Sequence, residues 1–228
     1  MSGINISDNI KRVRGVIAEA AAKSGRAPGD ITLVAASKTK PAELIAQAIA
    51  AGVDAVGENR AQEMLEKQAQ GAYSGAPLHF IGHLQSNKTG KVVGACDLIE
   101  SAGSADLIKM IGGKAVSLGI TQNILIEVNI GREPQKSGVL PERTEELLAL
   151  ASQTAGVNVL GLMSVPPLDV KNRYYFDAMF NLFIDMRGKK YDNVSMYVLS
   201  MGMSDSYSDA ILAGSNMVRI GTAIFGER

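Results

Sequence analysis

A single cysteine, Cys96, stands in the 228-residue chain, so no intrachain disulfide and no multi-cysteine metal site can form. Cysteine this scarce fits a reducing compartment, and a lone one is expected to be a small buried hydrophobe. Histidine is nearly as rare: His79 and His83 share one apolar run, and two histidines without a clear third ligand make a poor zinc site. Neither sign of charge dominates, with 23 Lys plus Arg against 23 Asp plus Glu and no long run of like charges. That balance argues against a sequence-independent attraction to phosphate backbones or anionic membranes, so neither nucleic acid nor membrane is an expected partner. No stretch approaches the ~20 apolar residues of a membrane span, and MSGINISDNIKRVRGVIAEAAAKSG carries charges where a signal peptide has its apolar core. A cytoplasmic protein is expected. No G-x-G-x-x-G turn occurs, which weakens the commonest doubly wound alternative, and in GHLQSNKT (82–89) asparagine stands where a P-loop needs glycine before Lys88.

What the chain does have is enough apolar residue, 46%, against 20% charged, to bury a substantial core. Short apolar runs alternate with helical patterns, the signature of βαβ units and a parallel sheet. The runs are ITLVAAS (31–37), DAVGEN (54–59), HFIGH (79–83), DLIES (97–101), NILIEVNI (123–130), VLGLMSV (159–165), MYVLSMG (196–202) and MVRIGTAIFG (217–226). Eight is the number of a (β/α)8 TIM barrel, which commonly needs about 250 residues as one domain. No linker or composition shift divides residues 1–228, so a single barrel domain is expected, with one extra helix, 7–24, ahead of the first strand.

Barrels bind ligands at the C-terminal ends of their strands. There the runs present Lys38, Asn59, His83, Glu127, Asn129, Ser164, Ser200 and Arg219. Alternation puts Ala36 with Lys38 on one face, and Gly57 with Asn59 on the next, so a lysine at the mouth has small neighbours and room for a flat ring. Partial shielding from water would lower its pKa and make it nucleophilic enough for a Schiff base; Lys40, just before Pro41, reads instead as an ordinary solvated lysine. Arg219, between Val218 and Ile220, cannot face the outer helices without a heavy desolvation cost and is expected to point inward. Its partner there is either a structural carboxylate such as Glu127 or an acceptor nitrogen of a bound ring, since arginine only donates. Ser200 and Gly202 at the end of the seventh run, with Gly221 and Thr222 in the eighth, supply the hydroxyls, the turn and the amides of a barrel phosphate site.

These residues also carry a resemblance. LVAASKTKP (33–41), GENRAQE (57–63), HFIGHLQSNK (79–88), IEVNIGREPQKSGV (126–139), GLMSVPP (161–167), LSMGMSD (199–205) and VRIGTAIFG (218–226) resemble, in order and over nearly the whole chain, the pyridoxal phosphate homeostasis family related to the N-terminal barrel of alanine racemase. The resemblance implies pyridoxal 5′-phosphate held as an imine on Lys38, with Arg219 facing the pyridine nitrogen. It implies Ser200, Gly221 and Thr222 on the phosphate, Asn59 beside the ring, and Met163 and Ser164 as pocket neighbours. Two departures stand out: Ala102-Gly103 replaces the family's common Val-Asp, and Ser206 stands where a second acidic residue is common.

Alanine racemase and the related decarboxylases complete their sites with a second domain and a partner subunit, whereas this chain ends just past the eighth run. The expectation is a monomeric vitamin B6 carrier, not an enzyme, that passes its cofactor to apoenzymes. A small amino-acid racemase is the first alternative, a cofactor-free Schiff-base aldolase the second, and a protein-interaction module, which leaves Lys38 and Arg219 unexplained, the third.

Overall fold

The apolar runs are nearly continuous because a parallel barrel strand is buried on both faces, by helices outside and by other strands' side chains inside. In the computed structural model, which describes residues 5–167 and 172–227, they form β1 (Thr32–Ala36), β2 (Ala55–Glu58), β3 (Leu78–Phe80), β4 (Leu98–Ala102), β5 (Gln122–Glu127), β6 (Val157–Met163), β7 (Val194–Ser200) and β8 (Met217–Ile220). The strands pair in sequence order and β8 closes onto β1, giving the TIM barrel that the count implied.

The helices are α1 (Ile6–Lys23), α2 (Ala42–Ala50), α3 (Ala61–Ala69), α4 (Thr89–Val92), α5 (Ala105–Ser117), α6 (Thr144–Ser152), α7 (Asn172–Arg187), α8 (Tyr207–Leu212) and α9 (Thr222–Phe225). Among the described residues no helix is long and apolar enough to cross a membrane. The extra helix α1 begins where the Asn5 side chain accepts the Asp8 N–H at 3.1 Å. Its buried stripe of Ile6, Ile10, Val13, Ile17 and Ala21 covers the outward residues Leu33, Ala35, Val218 and Ile220 of the β1–β8 seam.

One boundary corrects the sequence reading. The last run does not continue as strand to residue 226; β8 stops at Ile220, and Thr222–Phe225 turn into α9. Thr-Ala-Ile-Phe is apolar in either state, and four residues are too few for periodicity to separate a strand from a helix. The consequence is functional, because Gly221 and Thr222 become the start of a helix at the barrel mouth.

Inside, Val34, Ala55, Leu98, Leu125, Val198 and Met217 meet in one apolar cluster. Two residues further toward the C-terminal end, the same faces carry Ala36, Gly57, Glu100, Glu127, Ser200 and Arg219. The barrel is therefore plugged with hydrocarbon below and polar above. On its outer helix α5, Gly112 packs so closely that an added Cβ would lie 2.5 Å from the Ala155 carbonyl oxygen, whereas one at Gly113 meets nothing within 4 Å. Gly113→Ala should accordingly raise stability by about 0.5–1 kcal/mol, read as a higher urea midpoint at unchanged slope.

Candidate functional site

Arg219 faces inward, as its desolvation cost required, and only 4% of its surface is exposed. Its carboxylate partner is Glu100 of β4, at 3.7 Å, and not the Glu127 named from the sequence. One guanidinium nitrogen donates to Ser200 Oγ at 2.5 Å and another to the Ser164 carbonyl at 2.9 Å. Glu100, fully buried, accepts the Ser200 hydroxyl at 2.6 Å and is bonded to His79 Nδ1 at 2.8 Å. Burial alone would raise the Glu100 pKa. The His79 hydrogen bond, the charges of His79 and Arg219 and the Ser200 bond outweigh it and hold the carboxyl below its usual range. Burial also lowers the Arg219 pKa, against the pull of Glu100 and Glu127. The result is a guanidinium fixed on the barrel floor by groups from β4, β6 and β7.

Ser200 is thus committed within the interior, donating to one partner and accepting from another, and its bonds do not go to the amides at Gly221 and Thr222. The hydroxyl found there belongs to Ser204, whose Oγ accepts the N–H groups of Gly221 and Ala223 at 3.3 Å each. The sequence reading missed it, although it lies in the same SMGMSD stretch. Gly202 makes the turn: its φ is +98°, and a Cβ would lie 2.6 Å from that of Ala210. Ser206, one of the two departures, accepts the Met203 N–H at 3.3 Å and so folds this loop back instead of capping α8 through its side chain. The other, Gly103, meets Gly138, whose Cα would be 2.8 Å from an added Cβ. A side chain there would push out the 131–139 loop.

Lys38 stands two residues past Ala36, which is in register with Gly57, so the lysine and Asn59 sit at the ends of adjacent strands as expected. The shielding expected of Lys38 is not supplied by the chain, since its side chain is exposed. Nor is Lys40 an ordinary solvated lysine: its ammonium donates to the carbonyls of Phe225, Gly226 and Glu227 at 3.2–3.3 Å, tying the end of α9 to the loop that carries Lys38. Met163 is buried against the apolar plug, and Ser164 is fully buried behind it. A cavity of about 500 Å³ opens at the ends of β2, β3, β5 and β6, lined by Asn59, His83, Glu127, Asn129, Lys136 and Val165 among others. Burial raises the Glu127 pKa, against the Ser137 bond and the charges of His83 and Arg219.

Among the described residues, the buried polar atoms without a hydrogen-bond partner include Asn59 Oδ1, Glu127 Oε2 and Ser164 Oγ, each at or just past a strand end. Unsatisfied polar groups of this kind cost about 1–3 kcal/mol each, and two of them, on Asn59 and Glu127, belong to residues lining that cavity, which marks it for a polar ligand. The site so assembled has the exposed Lys38 amine, the buried Arg219 guanidinium, a helix start whose Gly221 and Ala223 amides are bonded to the Ser204 hydroxyl oxygen, and buried acceptors without partners among the described residues. A phosphorylated, ring-bearing aldehyde fits that set. Of the two histidines, His79 is engaged by Glu100 and His83 is exposed.

The fold and site define a barrel of the alanine racemase N-terminal type, and residues 6–228 match that family, described as alanine racemase, N-terminal domain. Within it the chain belongs to the pyridoxal phosphate homeostasis proteins. The relative of that name from Aquifex aeolicus is 39% identical over 230 residues, covering 99% of each chain. The solved structure of PipY from Synechococcus elongatus with PLP bound is 29% identical, with a TM-score of 0.84 over 97% of this chain and 100% of that one. Alanine racemase of Clostridium difficile shares the fold alone, at 16% identity and a TM-score of 0.77 over 98% of this chain and 60% of its own.

Proposed function

We propose that this chain binds pyridoxal 5′-phosphate at the barrel mouth, covalently on Lys38, and serves vitamin B6 homeostasis as a holder of the cofactor and not as a catalyst. The observation that carries the reading is that the paired strands β1 and β8 bring Lys38 and the Gly221–Thr222 helix start to adjacent strand ends, with Arg219 turned into the barrel beneath them. Relatives named for the same role, and PipY with PLP bound, support it. When bound, the cofactor supplies an aldehyde that an amine can capture and a ring that can withdraw electrons. Lys38 would hold the aldehyde carbon, Gly221, Thr222 and Ser204 the phosphate, and Asn59 and Ser164 the ring's polar edge.

Arg219 favours holding over catalysis. A guanidinium keeps its proton at working pH and only donates, so Arg219 would leave a ring nitrogen bound against it as an unprotonated acceptor and would not strengthen the ring as an electron sink. A monomer in the cytoplasm suits such a carrier, and the scarcity of cysteine favours that compartment.

The test is borohydride reduction after adding pyridoxal 5′-phosphate, with peptide mass spectrometry. The pyridoxyl adduct is expected on the peptide containing Lys38 and lost from it in Lys38→Ala. An adduct confined to other lysines would defeat the binding reading. Racemisation of an amino acid at enzyme-like turnover, abolished in Lys38→Ala, would defeat the carrier reading and establish the racemase.

A further inference from the structure

Both peptide groups flanking Lys38 are held from outside the barrel by one buried ion-pair cluster that the site above does not include. Ser37 is fully buried and points away from the mouth, toward α3. Lys67 of α3 reaches in with its side chain 9% exposed, and its ammonium has acceptors for all three N–H bonds: the Ser37 carbonyl at 2.9 Å, Glu58 Oε1 at 2.7 Å and Glu63 Oε1 at 2.7 Å. The same Glu63 oxygen accepts the Thr39 N–H at 2.5 Å. Glu58 Oε1 also receives the hydroxyls of Ser37, at 2.6 Å, and Tyr73, at 3.2 Å.

The carbonyl of the residue before Lys38 and the amide of the residue after it therefore end on the same ammonium–carboxylate group. Thr39 adopts φ +64°, an outlier for a β-branched residue, which persists only where the surroundings over-determine it. A buried ion pair is a weak source of net stability compared with a hydrophobic replacement, so its place beside a strained, site-bearing turn calls for another role. We propose that Lys67 and Glu63 are positioning residues for Lys38: they set the backbone on either side of it, so that an exposed lysine still presents its amine to the mouth from one fixed point. This rests on the reading of Lys38 as the attachment lysine.

The experiment uses the full chain as wild type, Glu63→Ala, Glu63→Gln and Lys67→Met. It measures the rate of the borohydride-trapped adduct on Lys38 and, without any cofactor, the acetylation of Lys38 by trace acetic anhydride relative to exposed Lys11. A displaced amine is expected to slow trapping by about tenfold or more in Glu63→Ala and Lys67→Met, and to change the relative acetylation of Lys38. Glu63→Gln, whose amide oxygen can still accept from Thr39, should return both toward wild type, a rescue that general destabilisation would not give. Glu63 is 20% exposed, so Glu63→Ala decides the matter if Lys67→Met does not fold. Folded variants that trap and acetylate like wild type would overturn the proposal. A wild-type chain that forms no adduct on Lys38 would defeat the functional reading instead. The acetylation ratios would then decide the clamp, an unchanged ratio overturning it and a changed one supporting it.

Discussion

Arg219→Met is expected to destabilise the protein by about 3–5 kcal/mol, the cost of removing one partner from a buried ion pair. Methionine fills much of the same volume, so the loss comes from what is left behind. Glu100 stays fully buried with only the bonds to Ser200 and His79, and the Ser164 carbonyl loses its donor. The sign of the pH dependence distinguishes this account from a packing defect. In the wild type Glu100 is held below its usual range, so its contribution to stability is present above the ordinary carboxylate pKa and is lost as pH falls through the depressed one. Without Arg219 that pKa rises, so the deficit should be largest near neutral pH and should shrink as Glu100 takes up a proton in acid. Urea unfolding across that range measures it. Arg219→Met/Glu100→Gln should recover most of the loss, because the uncompensated charge goes too. A deficit independent of pH, or a double variant no better than the single, would contradict the argument.

The two residues of that pair were unequally legible in the sequence. That Arg219 turns inward followed from its neighbours, since Val218 and Ile220 must face the helices and alternation leaves it one direction. That it meets Glu100 did not follow. In a closed barrel β4 lies across the interior from β8, and contact between strands that never pair leaves no trace in local pattern or spacing. Glu127 was chosen because it ends a strand conspicuously; its side chain instead accepts the Ser137 hydroxyl at 2.8 Å.

The same limit hid the Lys67 cluster. Glu63 and Lys67 are spaced i, i+4, which on a helix reads as a solvated pair. Only the packing of α3 on the outward faces of Ser37 and Glu58 makes the pair internal. The eight strands themselves were legible because a strand buried on both faces has to be apolar throughout, although seven of them have ends shifted by up to three residues and β8 ends six residues earlier than its run. The start of α9 was not, as an apolar tetrapeptide carries no period. With it went the role of Ser204, whose hydroxyl acquires meaning only when Gly221 and Ala223 become a helix start.

Gly82→Ala should damage the site from a position that the sequence places in the third apolar run without assigning it any role at the site. An added Cβ would stand 2.2 Å from the Asn59 carbonyl oxygen, 2.6 Å from its Cα and 2.7 Å from its carbonyl carbon. All three are backbone atoms, so no rotamer change relieves the clash, and one chain segment must move. Overpacking of this kind costs about 1–3 kcal/mol, and the upper end is expected here. The segment that moves carries Asn59, which lines the cavity and whose buried Oδ1 has no partner among the described residues, while the Ile81 N–H is bonded to the Glu58 carbonyl at 2.8 Å and resists displacement from the other side. Retention of pyridoxal 5′-phosphate should therefore fall by more than stability alone explains. Dialysis of the loaded protein under conditions where the variant remains folded would show it as faster loss of the visible chromophore. Gly113→Ala is the matched control, because its methyl meets nothing and should leave retention unchanged. If Gly82→Ala kept its cofactor as the control does, Asn59 would not be part of the holding site, and the unpaired acceptors of Glu127 and Ser164 would have to orient the ring without it.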